Sequence, residues 1–482
     1  MKYISTRGAG PVSASEAVLR GLAPDGGLYV PESLPALNSG ELEFLKSCSY
    51  GDAARLILKK YLEDFSEAEI DDCVSKAYES ERFASKDVFE LRELEGGLCA
   101  LELYHGPTAA FKDMALQLTP RLLTKAAAHC GERDRIAVLV ATSGDTGKAA
   151  LEGFCELAGT SVCAVYPAGG VSELQRRQMI TQRGSNTRVI ALEGNFDDAQ
   201  NAVKHFFSSE SARAALARRG AKPSSANSIN WGRLLPQIVY YSLASVRLAI
   251  GGAVDFAVPT GNFGNILAAY YAKRMGAPVG RLLCACNRND VLADFINTGV
   301  YDRRREFFRT LSPSMDILVS SNLERLLFEL SGHDAAFVSS RMDELSKMGH
   351  YSIGETLLKK MRELFSSASC GDGETLETIE RLWREQNYLC DTHTAAAFFA
   401  ARGFESEKLV VVSTASPYKF PVAVLSALED TAPADDWDAL RRLETLTGIE
   451  APKSLRELES LPVLHTERCA PGDLVSVLSE TL

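Results

Sequence analysis

The chain is 482 residues long and 46% apolar, enough to bury a large core and to set an expectation of roughly two to four structural units. Lysine and arginine number 52 against 63 aspartates and glutamates, and the net charge of −11 disfavours a general role on nucleic acid or anionic membranes. The eleven cysteines, an odd number without CxxC spacing, fit neither a disulfide framework nor a zinc site, so reduced thiols are expected.

The start, Met1-Lys2-Tyr3-Ile4-Ser5-Thr6-Arg7, lacks the apolar stretch of a signal peptide, and no run approaches the roughly 20 apolar residues of a membrane helix. A cytoplasmic protein with no membrane partner is the expectation. Residues 1–95 read as a small leading unit. Within it, Leu22 to Pro31 is a turn followed by a short strand, and Tyr50 to Tyr61 and Glu67 to Tyr78 are helices with apolar residues three and four apart.

The stretch His105-Gly-Pro-Thr-Ala-Ala-Phe-Lys112-Asp113 follows, a turn that opens a helical run from Met114 to Cys130. Pro120 should kink or split that run. Lys112 is thereby placed at or beside a helix N-terminus, where the dipole repels positive charge and makes a lysine easier to deprotonate and use as a nucleophile. On position alone a solvated surface lysine is the commoner outcome.

Arg135 to Lys148 reads as a buried parallel strand, a tight polar loop over Thr142 to Gly147, and a helix through Cys155. Glycines there admit a ligand close to the backbone, and the helix start favours a carboxylate or phosphate; an ordinary strand-to-helix turn is the plain alternative. The same grammar returns at Val254 to Asn265, followed by a helix from Ile266 to Met275. It returns again at Lys408 to Pro421, with a helix to about Leu428. Between them, residues 297–391 are helical and charged, with an exposed loop expected at Ser366 to Gly373. Thr431 to Asp435 is a linker into C-terminal helices and short strands.

Ligands of open α/β sheets bind at the carboxyl ends of the strands, so the three loops can converge on one crevice. A lysine, two anion cradles and a hydroxyl-bearing strand end would suit pyridoxal phosphate, which needs an imine-forming lysine, a phosphate cradle and a partner for its ring nitrogen.

The strings LAPDGGLYVP, HGPTAAFKDMALQ, ATSGDTGKAA, Asn227-Ser-Ile-Asn230-Trp-Gly-Arg233, PTGNFGNILA, Leu311-Ser-Pro-Ser-Met315-Asp316-Ile317 and STASPYKF stand in one order along most of the chain. In these the chain resembles the threonine synthases, pyridoxal-phosphate enzymes of the tryptophan-synthase-β-like fold (fold type II), and in length their longer branch with an extra N-terminal unit. The resemblance implies an α/β architecture of parallel-sheet domains. These are an N-terminal unit at 1–95, a lysine and substrate-carboxylate domain at 96–240, a cofactor-phosphate domain at 241–430 with a helical insertion at about 297–391, and an extension at 431–482.

It also implies that Lys112 holds the cofactor as an imine, that Gly261, Asn262, Phe263, Gly264 and Asn265 hold its phosphate, and that Thr414, with or without Ser413, faces the pyridine nitrogen. Thr142, Ser143, Gly144, Asp145 and Thr146 would receive the substrate α-carboxylate. Asn227 and Asn230 would be either site residues or local turn caps. The implied substrate is O-phospho-L-homoserine: protons leave Cα and then Cβ, phosphate leaves Cγ, and water adds at Cβ to give L-threonine. Lys112 would be the principal proton carrier. The leaving phosphate calls for cations, for which Arg233, Lys148 and Lys419 are candidates, each with a surface ion pair as the alternative. A phospholyase releasing 2-oxobutyrate, or a silent cofactor-binding protein, are the competing readings.

Two positions depart from relatives of the fold. Sister enzymes often carry Asn where Asp145 stands, although Asp is usual in this family's own SGDTG string. The family commonly has His where Ser416 stands. His105 is expected either to position substrate or to make a structural hydrogen bond, and His393 either to cap a helix or to line the pocket. His129, His205, His333, His350 and His465 show no metal-ligand spacing, and no metal is expected.

Overall fold

The computed structural model describes residues 1–482 apart from 80, 86, 250 and 482. In the leading unit, strand Tyr3–Ser5 pairs antiparallel with Tyr29–Pro31. The helices Tyr50–Tyr61 and Glu67–Tyr78 have the bounds read from sequence. Each starts on a serine: Ser49 accepts from the Asp52 amide, and Ser66 and Glu69 form a reciprocal capping box. Ala53, Ala54, Ile57, Leu58 and Tyr61 form the buried stripe of the first helix, and Tyr61 packs on Trp231 of the body with ring centroids 5.7 Å apart.

Two sheets form the body. The larger runs in the order Phe365–Ser369, Val279–Cys286, Val254–Pro259, Leu409–Ser413, Leu98–Glu102, Glu90–Glu93. All neighbours are parallel except the last pair. The smaller sheet is parallel throughout, in the order Glu467–Cys469, Thr187–Leu192, Thr160–Pro167, Arg135–Ala141, Ala221–Ser224. Its central strands are runs of Val, Ile, Leu and Ala buried on both faces, as helix-covered parallel strands must be. The chain crosses between the sheets at its ends. Leu98–Glu102, just before the lysine turn, pairs with Leu409–Ser413 of the larger sheet, and Glu467–Cys469 of the C-terminal extension adds an edge strand to the smaller one.

Two local expectations can be compared directly. Pro120 does divide the helical run, into Lys112–Leu116 and Thr119–His129, and sits in the first turn of the second helix, where its missing N–H costs nothing. The exposed loop expected at Ser366 to Gly373 is corrected: Phe365–Ser369 is an edge strand parallel to Val279–Cys286. Cys370 is buried there, and its amide donates to Cys286 O at 3.0 Å. Serine and alanine give no alternating pattern, so the pairing is carried by the backbone, while Ser367 Oγ donates to Ala293 O. Among the described residues no helix is long and apolar enough to cross a membrane, and the cysteines are unpaired.

Candidate active site

The lysine turn is zipped to the late loop. The Phe111 amide donates to Thr414 O at 2.8 Å, the Ser416 amide donates to Ala109 O at 3.1 Å, and Ala110 bridges Ala415. Ala109 takes a φ of 58°, a left-handed conformation uncommon for a residue with a Cβ, which persists here because its neighbours hold it on both sides. Thr108 is fastened to Asp113 by its amide and its hydroxyl, both at 2.8 Å. The turn thus delivers Lys112, the first residue of its helix, into a largely buried crevice.

Strand Arg135–Ala141 ends in the loop that supplies the main counter-charge. Gly144 has a φ of 129°, and the helix Asp145–Phe154 begins without a side-chain cap. Asp145 Oδ2 accepts from Lys112 Nζ at 3.2 Å and from Ser314 Oγ at 3.2 Å. Its Oδ1 meets Lys419 Nζ at 2.9 Å and Gln175 Nε2 at 3.2 Å. Burial pushes the Asp145 carboxyl up, but the ammoniums of Lys419 and Lys112 outweigh it and hold the group well below the usual carboxylate range. Burial pulls the Lys112 pKa down; Asp145 opposes this, and the charges of Lys419 and Arg233 add to it. The net effect makes a neutral, nucleophilic amine easier to reach.

The second loop closes on the first through Ser314. Lys112 Nζ lies 3.4 Å from Ser314 Oγ, and the Ser314 amide donates to His393 Nε2 at 3.1 Å. A Cβ at Gly261 would stand 2.8 Å from Ser314 O, so glycine there lets the two segments touch. Phe263 is left-handed, with a φ of 60°, and helix Gly264–Arg274 starts with no side-chain cap. Asn262 is exposed; its carbonyl accepts from Asn322. Asn265 is buried: Tyr240 and Tyr241 hydroxyls donate to its Oδ1, while its Nδ2 has no partner. An uncapped helix start beside an orphaned buried donor fits a phosphate.

His393 Nδ1 pairs with Asp391 Oδ1 at 2.9 Å, and the other Asp391 oxygen accepts from Thr394 Oγ1. Thr394 Oγ1 lies 3.2 Å from Ser413 Oγ and accepts from the Thr414 amide at 3.2 Å. The buried Thr414 hydroxyl has no protein partner among the described residues. The chemistry of these donors, together with a lysine pulled toward its neutral form, therefore fits pyridoxal phosphate.

The other residues singled out by sequence divide clearly. Thr142 serves the loop itself, its hydroxyl accepting from the Gly144 amide at 3.0 Å and the Gly147 amide at 2.8 Å, while Ser143 and Thr146 are half-buried at its rim. Asn230 is a helix cap: Oδ1 accepts from the Gly232 amide at 2.8 Å and Nδ2 donates to Val18 O at 2.9 Å. The half-buried Asn227 has no side-chain partner among the described residues.

Of the three candidate cations, Lys148 pairs with Glu152 at 3.1 Å, and the fully buried Lys419 is held by Asp145 and by Thr108 O at 2.9 Å. Arg233 differs. It is buried, Nη1 donates to Ala226 O at 2.6 Å, Nε has no partner, and no carboxylate pairs with it among the described residues. Burial pulls its pKa down to about 10. His105 pairs with Glu102 at 3.0 Å. Ser314, Gln175, Asp391 and Thr394 were not assigned from sequence; the Leu311 to Ile317 string was the signal for Ser314, and nothing local marked the others.

A family model for pyridoxal-phosphate dependent enzymes matches residues 87–415, and one for the threonine synthase N terminus matches residues 2–78. Threonine synthase from Pseudomonas aeruginosa is 41% identical over 480 residues, covering 98% of this chain and all of that one. Human threonine synthase-like 1 is 40% identical over 455 residues, covering 89% of this chain and 61% of that one. The crystal structure of pyridoxal-phosphate-bound threonine synthase from Brucella melitensis superposes with a TM-score of 0.90 at 38% identity, covering 100% of this chain and 99% of that one. Fold and site together define a pyridoxal-phosphate-dependent enzyme of fold type II with an added N-terminal domain. More narrowly, the chain belongs to the threonine synthase family.

Proposed function

We propose that the enzyme converts O-phospho-L-homoserine and water to L-threonine and phosphate, in the cytoplasm to judge from its unpaired thiols. The observation that carries this reading is the pairing of a reactive lysine with a buried, counter-ion-free arginine: Lys112 meets Asp145 and Ser314, while Arg233 has a bare Nε. When bound, pyridoxal phosphate supplies the electron sink that acidifies Cα and Cβ of the substrate.

The chain supplies the rest. Lys112 holds the cofactor and moves protons at Cα and Cβ. Its neutral form is favoured by burial and its position fixed by Asp145 and Ser314. The Gly261 to Asn265 loop would hold the cofactor phosphate, and Thr414 would supply a hydroxyl to the ring nitrogen. The uncapped helix start at Asp145, with Ser143, Gly144 and Thr146, takes the substrate carboxylate. Arg233 takes the leaving phosphate through paired charge-assisted hydrogen bonds, which explains a guanidinium with no carboxylate of its own. Lys419 belongs to the charge balance of Asp145, not to the phosphate. Incubation with O-phospho-L-homoserine and separate assays for threonine and 2-oxobutyrate test the reading. Threonine with equimolar phosphate is the expected result; 2-oxobutyrate in its place would make the enzyme a phospholyase.

A further inference from the structure

Helix Leu323–Leu330 carries two adjacent charged residues turned into the protein, and their surroundings differ. Glu324 is matched by the N-terminal unit: Thr6 Oγ1 donates at 2.6 Å, Arg7 Nε at 2.9 Å and Arg7 Nη2 at 2.8 Å. Arg325, fully buried, has only neutral acceptors. Its Nε donates to Tyr29 O at 3.0 Å, Nη2 to Ile229 O at 2.6 Å and Nη1 to Asn322 Oδ1. The Trp231 ring lies 5.9 Å from its Cζ. Among the described residues no carboxylate lies at ion-pair distance from it; burial pulls its pKa down to about 10, opposed only in part by the neighbouring Glu324, which is already paired with Arg7. A buried cation without an anion is costly, and a protein that keeps one usually has an anion to bring to it.

The partners of Arg325 flank one place. Asn322 Nδ2 and the Asn322 amide donate to Asn262 O at 2.9 and 3.2 Å, and a Cβ at Gly264 would lie 3.4 Å from that same Nδ2. Ser228 Cβ would lie 3.9 Å from the same Gly264 Cβ, and the next residue, Ile229, is the one Arg325 holds by its carbonyl. One guanidinium therefore braces both walls of the uncapped start of helix Gly264–Arg274. The helix start offers oriented amides and a partial positive charge, and Arg325 stands behind it with a full one.

We propose that Arg325 is a positioning residue for the cofactor phosphate: it fixes Asn322 and Ile229 on either side of Gly264, and the phosphate dianion is the counter-ion its guanidinium lacks. This rests on the Gly261 to Asn265 loop being the phosphate cradle. In a dry interior a charge acts beyond hydrogen-bond distance, so Arg325 need not touch the phosphate to strengthen its binding. The third hydrogen bond, to Tyr29 O, ties the N-terminal unit to the same hub.

The test compares dissociation constants of the full-length apo-protein for pyridoxal 5'-phosphate and for pyridoxal, which lacks the phosphate. The ratio of the two isolates what the phosphate contributes. Arg325→Gln should lower that ratio by about tenfold or more, whereas Arg325→Lys, which keeps the charge, should hold it within about threefold. A parent-like ratio in R325Q overturns the proposal, and so does a loss in R325K as large as in R325Q, which would mean a brace without an electrostatic role. If R325Q does not accumulate as folded protein, Asn322→Ala decides: a lowered ratio supports the link to the loop, and an unchanged one overturns it. Gly264→Val, measured alongside, tests the cradle itself. An unchanged ratio there overturns the loop assignment, while a lowered ratio there with a parent-like R325Q overturns the role of Arg325 alone.

Discussion

The loops at Thr142 to Gly147 and Gly261 to Asn265 are written alike, each a buried strand, a glycine-rich polar turn and a helix without a side-chain cap, yet the protein furnishes them in opposite ways. The first is crossed by side-chain charge. Asp145 draws Lys112 and Lys419 to one carboxylate, with Gln175 and Ser314 completing its shell. The second carries no charge within the loop, and Arg325 reaches it through Asn322. The same local grammar thus carries a charge cluster in one place and an uncharged, uncapped helix start in the other. What decides is the set of side chains that distant segments deliver.

The largest effect should fall on Lys112, the lysine that Asp145 of the first loop holds. Lys112→Ala should lower turnover by about 10⁴-fold, the scale of a lost acid–base group, and borohydride should no longer fix the cofactor to the chain. A covalently reducible cofactor in that variant would move the imine to another lysine. Next comes the arginine outside both loops. Arg233→Ala should lower kcat/KM for O-phospho-L-homoserine by about 10²-fold and weaken inhibition by inorganic phosphate, because a neutral side chain cannot replace paired, charge-assisted bonds. Lys148→Ala breaks a part-buried pair with Glu152 and should lower kcat/KM less than Arg233→Ala does. If Lys148→Ala hurts phosphate inhibition more than Arg233→Ala does, the two cations exchange roles.

A smaller effect separates the glycines of the second loop. Gly261→Val would push a side chain into Ser314 O, disturbing Lys112 and Asp145 together, whereas Gly264→Val meets the Asn322 and Ser228 side chains at ordinary contact distance. Gly264→Val should therefore weaken cofactor affinity by about tenfold and regain activity with added cofactor, and Gly261→Val should not be rescued. Equal rescue of both would show that the contact with Ser314 is dispensable.

Much of this comparison is legible in the chain. The strand, turn and helix of each loop follow from buried apolar runs, glycine and helical spacing, and Pro120 marks its own helix boundary. The limits are also local. Asn230 reads from the resemblance as either a site residue or a local turn cap, and only the position of Val18 O, 212 residues away, shows that both its amide groups are engaged. Lys419 reads as one of three candidate phosphate cations or as a surface ion pair, and its full burial against Asp145 could not be read locally because it comes from distant segments meeting. The strand Phe365–Ser369 was hidden because serine and alanine carry no alternation, while its hydrogen bonds come from Val279–Cys286. Conversely, nothing near Asp391 or Thr394 marks the network that joins His393 to Thr414.

The last effect, on stability and not on turnover, asks whether the charge cluster around Asp145 extends to Asp113. This buried carboxyl is pushed up to about 6 from an ordinary 3.8, chiefly by burial, against the hydrogen bonds of Thr108 and the charge of Lys419. A carboxyl that binds its proton more tightly when folded contributes stability that is complete below its unfolded value and is lost as pH rises through its folded one. Asp113 should therefore stabilise the protein most below about pH 4 and lose that contribution by about pH 7, a swing of at most ~3 kcal/mol. Asp113→Asn keeps the size and an acceptor for the Thr108 amide but cannot titrate. Relative to it, the parent should melt progressively higher as pH falls from about 7 to about 5, with the gap closing at neutral pH. A melting difference that stays constant across that range would mean that the Thr108 bonds and Lys419 already hold Asp113 ionised, and would join it to Asp145 as a second fixed anion of the cluster.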